Sequence, residues 1–109
     1  MKNSLKREKD FEKVFKLGKR IFSNSLTLVY LPSKEIKVGF AVSKKHGKSV
    51  VRNRIKRLLR EAFRSFRLEE NNQNFFFVFL PKIKDEYGYK TFCKDMEYTL
   101  KKVGCINKK

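Results

Sequence analysis

The chain has 109 residues, of which 28 are Lys or Arg and 11 are Asp or Glu, so its formal net charge is +17. Hydrophobic residues make up 40% of the sequence and aromatic residues 14%, which suffices for a folded core and excludes a disordered basic tail. This charge excess opposes folding by self-repulsion, so it indicates a polyanionic partner, with nucleic acid the first candidate and an anionic membrane the second.

The first predicted element is a short amphipathic helix over about residues 8–17. Its apolar residues follow the helical repeat i, i+3, i+4, and they are Phe11, Val14 and Phe15. Gly18 follows as a helix stop. Phenylalanines at this spacing usually belong to a core, but a ring packed against a sheet can still offer a face to a nucleotide base.

Two strands are expected next, one over 26–31 closed by Pro32 and Ser33, and one over 36–43. The short connection between them predicts an antiparallel hairpin. The second strand has one large apolar face and one face of mostly small side chains, which leaves room for a helix or a ligand strand, the helix being the simpler account. Residues 20–25 form either a separate short strand or an extension of the first.

The longest helix is predicted from about Ser49, as its N-cap, to Arg67. Its apolar residues converge on one stripe of a helical wheel; these are Val51, Ile55, Leu58, Leu59, Ala62 and Phe66. The opposite side and its borders carry Arg52, Asn53, Arg54, Lys56, Arg57, Arg60 and Arg64. Solvated faces usually mix charge signs, and here only Glu61 offsets the cations, so this face is predicted to bind phosphate groups.

Residues near the start of this helix have more than one possible role. The turn around Gly47 is predicted to grip an anion beside the helix N-terminus; its lysines are Lys44, Lys45 and Lys48. Asn53 either adds specificity through its amide, or is an exposed polar residue or an alternative cap. The glycine spacing of a P-loop is absent. His46 has no second histidine for a metal pair, and it is predicted to be an exposed loop residue.

The C-terminal half is predicted to hold a polar loop at 69–74, a central strand at 75–81 and a last helix at about 91–103. The strand is apolar on both faces, and Pro81 ends it. The last helix has an apolar repeat formed by Phe92, Met96, Leu100 and Val103. The order α-β-β-α-β-α describes a single α+β domain over 1–109, with helices packed on a sheet of three or four strands.

No predicted element forms a self-sufficient active site, because the Asp and Glu residues are scattered and mostly lie beside lysines rather than paired around a metal. Cys93 and Cys105 match no metal or disulfide pattern, so a reduced, cytoplasmic protein is expected, with Cys93 packing on the last helix. No secretory signal is expected, and no apolar run is long enough for a membrane span, so no membrane partner is expected. The residues alone predict an RNA- or DNA-binding domain.

The stretch KVGFAVSKKHGKSVVRNRIKRLLREAF at 37–63 closely resembles the signature of the bacterial ribonuclease P protein subunit, including its Arg-Asn-Arg motif at 52–54. The segment at 10–19 resembles that family's first helix and turn, and FFFVFLPK at 75–82 resembles its strand ending. The resemblance implies an α-β-β-α-β-α sandwich similar to a domain of a small-subunit ribosomal protein. It also implies a left-handed β-α-β crossover, where the general rule gives a right-handed one.

The resemblance further implies that the protein joins a catalytic RNA, in a 1:1 complex, to form the endonuclease that removes 5′ leaders from precursor tRNA. The RNA and its bound Mg²⁺ perform the hydrolysis, so no catalytic residue or metal site is expected in the protein. The residues implied to face the RNA are Lys44, Lys45, Lys48, Arg52, Asn53, Arg54, Lys56, Arg57, Arg60 and Arg64.

A cleft for the single-stranded leader, between the first helix and the sheet, is also implied by the resemblance. Its residues here are Phe11, Phe15, Ser43, Lys82 and Lys84. Ser43 and Ile83 occupy positions where relatives can carry cations. The cleft is therefore expected to hold leader phosphates less strongly in this chain, or to use Lys84 instead.

Three other functions remain open at this point. A ribosomal protein or RNA chaperone would bind tRNA precursors with and without leaders alike. A DNA regulator with a helix in the major groove would prefer duplex DNA, although a strand rather than a helix is predicted before Ser49. An autonomous nuclease would cut its substrate without any RNA cofactor.

Overall fold

The computed structural model describes residues 4–5, 7–66, 74–84 and 87–104. Its helices are α1 (Glu8–Leu17), α2 (Ser49–Arg64) and α3 (Tyr89–Val103), and a 3₁₀ turn spans Lys44–His46. Its strands are β1 (Lys19–Phe22), β2 (Leu26–Ser33), β3 (Lys37–Phe40) and β4 (Asn74–Pro81). A separate short strand, β1, thus precedes β2. The predictions made for Arg67, for 69–73 and for Cys105 lie outside the described residues.

The four strands form one sheet in the order β1-β2-β4-β3. β2 is antiparallel to β4, from the pair Leu26 and Pro81 to the pair Ser33 and Asn74. β3 runs parallel to β4, so β3, α2 and β4 form a β-α-β crossover. The predicted hairpin of β2 with β3 is wrong, because β4 lies between them. β4 is apolar on both faces, so it is buried best in a central position between β2 and β3. This burial stabilises the fold more than direct pairing of β2 with β3, its neighbour in sequence, would.

Helices cover both faces of the sheet. On one face, Phe77 and Phe79 of β4 join Ile55 of α2 and Phe92 of α3 in the larger core cluster. On the other face, a smaller cluster is centred on Val14 of α1. Its other buried members are Leu5, Val29 and Val78. The predicted α+β fold, with β4 as its central strand, is therefore confirmed.

Two strand ends differ from the prediction. β2 continues through Pro32, which pairs with Phe75, rather than closing there. This is possible because β1 reaches only Tyr30, so β2 has no strand on its other side at Pro32 and the missing N–H disrupts no ladder. β3 is shorter than predicted, and beyond it the Ala41 N–H still donates to the carbonyl of Phe79 at 3.0 Å.

The helix bounds also need correction. Lys48 is the N-cap of α2, in extended backbone, and Ser49 is the first helical residue rather than the cap. α2 ends at Arg64, followed by Ser65, whose Oγ donates to the carbonyl of Ala62 at 2.6 Å. Val51 is 38% exposed, although it was predicted to lie on the apolar stripe. α3 begins at Tyr89, earlier than predicted.

Gly39 and Gly18 allow α1 to lie close to the sheet. A Cβ at Gly39 would be 2.5 Å from Cζ of Phe11, so α1 occupies the space above the small face of β3, as the helix interpretation predicted. Gly18 ends α1 in extended backbone, with φ −76° rather than a left-handed value. A side chain there would meet the Tyr30 carbonyl oxygen at 2.8 Å. Both glycines therefore serve close approach of backbone rather than unusual dihedral angles.

Candidate nucleic-acid interface

The outer face of α2 is cationic because its inner face is buried. Ile55, Leu59 and Ala62 pack beneath the helix in the larger core cluster, which fixes the rotation of α2 about its axis. The residues that this rotation leaves exposed include Asn53, Arg54, Arg57, Arg60 and Arg64. Arg52 and Lys56 are half-buried at the borders. The structure thus brings the predicted cations of α2 onto one side of a single rigid element.

Acidic side chains do not neutralise this face within the described part of the chain. The ion pairs there join Glu35 to Lys37 at 3.3 Å and Glu97 to Lys101 at 3.2 Å, and neither involves α2. Glu61 is the one acidic residue of α2. Like charges one helical turn apart repel each other, so this arrangement opposes helix stability until an anion binds.

The turn before α2 adds further cations. Lys44, Lys45 and Lys48 are all exposed. Gly47 has φ +117°, a conformation that other residues rarely adopt, and this dihedral turns the chain from the 3₁₀ segment into α2. Arg52 Nε donates to the Gly47 carbonyl at 3.1 Å, which holds the turn against the helix. One guanidinium donor of Arg52 is therefore already used within the protein.

His46 lies half-buried, not exposed as predicted. Its Nε2 donates to the Pro81 carbonyl at 3.0 Å, and its ring centroid is 5.8 Å from that of Tyr87. Its Nδ1 is 3.2 Å from the Ser43 carbonyl oxygen. These contacts join the lysine-bearing turn to the end of β4, so Ser43 is held near the residues that follow Pro81.

Phe11 and Phe15 lie on the opposite face of the sheet, where α1 crosses it. Their ring centroids are 6.3 Å apart. Both side chains are half-buried and pack against the cluster of Val14, Val29 and Val78. Each ring thus contributes to the smaller core and still keeps part of its surface accessible, so the two roles left open by the sequence are compatible.

The remaining predicted cleft residues separate into two places. Ser43 and Lys82 are exposed beyond the adjacent ends of β3 and β4, at the same edge of the sheet. Lys84 instead has its N–H bonded to the Tyr87 hydroxyl at 3.1 Å. The Lys84 residue lines a depression of about 190 Å³ beside the N-terminus of α3. Gly88 and Thr91 also line this depression. Ser43 and Lys82 therefore lie at the same end of the sheet, and Lys84 lies beside α3.

Phe22 is a candidate that the sequence analysis missed. It is 62% exposed at the end of β1, and Lys82 Nζ lies 6.0 Å from its ring centroid. The two residues are far apart in sequence, and their proximity depends on the register of three strands. The sequence offered one indication of this candidate, an aromatic residue within residues 20–25. That segment was predicted to be either a separate short strand or an extension of the next strand.

A titratable contact joins α3 to the end of α2. The pKa of Tyr89 is raised, mainly by its hydrogen bond with Cys93 and also by Coulombic repulsion between the tyrosinate and the Cys93 thiolate, while a hydrogen bond with Ser65 lowers it. Groups of three or more His, Cys, Asp or Glu able to hold a metal are absent from the described residues. A helix long and apolar enough to cross a bilayer is likewise absent from that part of the chain.

The ribonuclease P family model matches residues 1–104. The ribonuclease P protein component of Caldanaerobacter subterraneus is 38% identical, covering 96% of this chain and 92% of the relative. That of Clostridioides difficile is 37% identical, covering 89% and 84%. The Staphylococcus aureus RNase P protein structure has a TM-score of 0.78 at 24% identity, covering 96% and 98% of the two chains. The Thermotoga maritima structure has 0.75 at 25%, covering 91% and 96%. The chain therefore belongs to the family of bacterial ribonuclease P protein components, which work with the ribonuclease P RNA in an endoribonuclease of tRNA processing.

Proposed function

We propose that the exposed face of α2 anchors this chain to the catalytic RNA, and that the cleft between α1 and the sheet holds the 5′ leader of precursor tRNA. The RNA then cuts the leader with Mg²⁺ that it mainly binds itself. The protein raises substrate affinity and aligns the scissile bond. The observation that carries this proposal is the row of exposed arginines on α2, which no ion pair in the described residues offsets.

The chemistry of α2 suits folded RNA. A guanidinium group presents forked donors that match two phosphate oxygens, and it stays charged at any working pH. Arg57, Arg60 and Arg64 supply such donors along one exposed side of the helix. Asn53, exposed near its start, supplies an amide that can donate and accept. The exposed lysines of the preceding turn extend the surface, and we expect one protein to bind one RNA.

The cleft suits a single strand of variable sequence. Stacking of a base on an aromatic ring contributes about 1–3 kcal/mol and accepts any base. Phe11 and Phe15 each keep part of a ring accessible on the α1 face, and Lys82 adds a cation at the edge of the sheet. Ser43 offers a hydroxyl rather than a charge, so the rings carry more of the expected leader affinity. Because its proposed substrate is made in the cytoplasm, we propose that compartment for the protein.

Reconstitution tests the proposal. Precursor tRNA is incubated at low Mg²⁺ with the pure protein, with the ribonuclease P RNA, and with both. We expect efficient cleavage with both components and slower or no cleavage with the RNA alone. Cleavage by the protein without RNA would contradict the proposal and indicate an autonomous nuclease. Equal affinity for precursors with and without leaders would instead indicate a general RNA binder, and a preference for duplex DNA would indicate a DNA regulator.

Two kinds of variant test the division between the surfaces. Arg57→Ala and Arg60→Ala should weaken assembly with the RNA. Phe15→Leu should weaken binding of leader-bearing precursor by the assembled enzyme and leave mature tRNA affinity nearly unchanged. Lys94→Ala, at an exposed position of α3, is the control for loss of one charge. If both kinds of variant reduced the two affinities equally, the division of roles would be wrong.

A further inference from the structure

Phe22 presents an aromatic ring that the fold does not use. It is the last residue of β1, an edge strand, and it is 62% exposed. Burying a phenylalanine side chain stabilises a protein through the hydrophobic effect. Most of that gain is unrealised here, so the ring is available to a partner.

The sheet register places Phe22 on the same face as α1. Phe22 lies opposite Thr27, and Thr27 lies opposite Leu80. Directly opposed residues in an antiparallel pair point to the same face, and Leu80 packs with the α1 cluster. Ala41 continues this row beyond the end of β3. The row therefore runs across three strand spacings, about 14 Å, along the floor of the proposed cleft.

Cations flank the ring on this face. Lys82 Nζ lies 6.0 Å from the ring centroid, at the outer limit of a cation–π contact, so the ammonium group remains available to another anion. Arg20 is two residues before Phe22 on the same side of β1 and is exposed. An exposed ring between cations is the combination by which proteins bind single-stranded nucleic acid, with the ring stacking a base and the cations contacting phosphates.

We propose that Phe22 and Lys82 form an additional nucleotide position at the β1 end of the cleft, with a leader base stacked on the ring and an adjoining phosphate on the lysine. This inference rests on the proposed leader-binding function and adds a contact beyond Phe11 and Phe15. The Ala41 end of the row leads into the lysine-bearing turn before α2, which belongs to the proposed RNA-docking surface, so we take the leader to enter the cleft at that end and to meet the Phe22 position last. It therefore serves only precursors whose leaders are long enough to reach β1.

The test measures affinity of the assembled enzyme for precursor tRNAs with leaders of decreasing length and for mature tRNA. Phe22→Leu keeps an apolar strand residue but removes the aromatic face, and Phe22→Trp keeps an aromatic face. Tyr98→Leu is the matched control, because Tyr98 is 49% exposed on α3 with Lys102 Nζ 5.4 Å from its ring centroid. Thermal unfolding of each variant accompanies the binding measurement.

Phe22→Leu is expected to lower affinity for the full-length leader about 5- to 10-fold, the lower part of the range for one stacked base. The defect should vanish once the leader is too short to reach Phe22, and it should be absent for mature tRNA. Phe22→Trp should bind like the parent, and so should Tyr98→Leu. Lys82→Gln should show the same dependence on leader length as Phe22→Leu.

The outcomes separate this inference from the function on which it rests. If Phe15→Leu weakens leader binding but Phe22→Leu matches the parent on every leader, the β1 position is overturned and the cleft stands. If neither variant changes any leader-dependent affinity, the proposed cleft itself fails. A Phe22→Leu defect of equal size on mature tRNA would also overturn the inference, because it would show that the ring does not act through the leader.

Discussion

Gly39→Ala should disturb the contact between α1 and the sheet. The added Cβ would lie 2.5 Å from Cζ and 2.6 Å from Cε1 of Phe11, and 3.2 Å from Cβ of Leu5. Carbon atoms in contact are about 3.5–4.0 Å apart, so the Phe11 ring must move by about 1 Å. The ring is rigid and already packs on the smaller core, and overpacking of this kind costs about 1–3 kcal/mol.

Urea denaturation measures this cost as a lower free energy of unfolding with an unchanged m-value. Gly88→Ala is the matched control, because a Cβ there would meet only Thr91 Oγ1, at 3.9 Å. Its change should be near zero, since the poorer N-cap and the less flexible unfolded chain oppose each other. In the assembled enzyme, Gly39→Ala should also weaken binding of leader-bearing precursor, because it displaces the Phe11 ring of the proposed cleft.

A double-mutant cycle identifies the source of the effect. Phe11→Leu shortens the side chain that the new Cβ would meet, so the two substitutions together should cost less than the sum of their separate costs. Additivity within about 0.5 kcal/mol would show that the two sites are independent. That result, or a Gly39→Ala protein as stable as the parent, would refute the packing argument.

Two further predictions concern α3. Asp95→Ala should lower the free energy of unfolding by about 1–3 kcal/mol, because the buried Asp95 carboxylate accepts the Ser25 N–H at 2.8 Å and the Ser25 hydroxyl; an unchanged urea midpoint would contradict this role. Cys93→Ala should lower the pKa of Tyr89 toward its ordinary value of 10.0, since the hydrogen bond to Cys93 is the main cause of the raised pKa. The raised pKa favours the neutral phenol in the folded state, so its stabilising effect is present below pH 10 and is lost as the pH rises through the folded-state pKa; tyrosinate absorbance during a pH titration measures the shift.

Burial explains which elements the sequence predicted well. The apolar repeats of α1, α2 and α3 must face a core, so each helix and its solvent-facing side could be predicted from local spacing. β4 is apolar on both faces, which identified it as a central strand. The outward direction of Arg57 and Arg60 follows from the burial of Ile55 and Leu59.

Contacts between residues far apart in sequence were not predictable in the same way. The pairing of β2 with β4 instead of β3 depends on where the whole crossover places β4. His46 was assigned to an exposed loop because its acceptor, the Pro81 carbonyl, lies 35 residues away. Phe22 became a candidate only through the registers of β1 with β2 and β2 with β4.

The proposed leader cleft was only partly predictable from the sequence. The helical spacing of Phe11 and Phe15 predicted a packed pair, and it could not decide how much of each ring stays accessible. Their leader-binding role was implied only by family resemblance. The close approach of α1 over Gly39 places the Phe11 ring on the sheet, and both phenylalanines are half-buried.

The most direct test of the central claim is the salt dependence of affinity between this protein and the ribonuclease P RNA. Arg57→Gln/Arg60→Gln removes two exposed charges from α2, and Lys94→Gln/Lys102→Gln removes two exposed charges from α3. If α2 contacts RNA phosphates, the first variant should make the slope of log affinity against log salt less steep by about 1.4–1.8, and the second should leave it nearly unchanged. Equal changes in both variants would contradict a docking surface on α2 and would show that the protein's charge acts only as a whole.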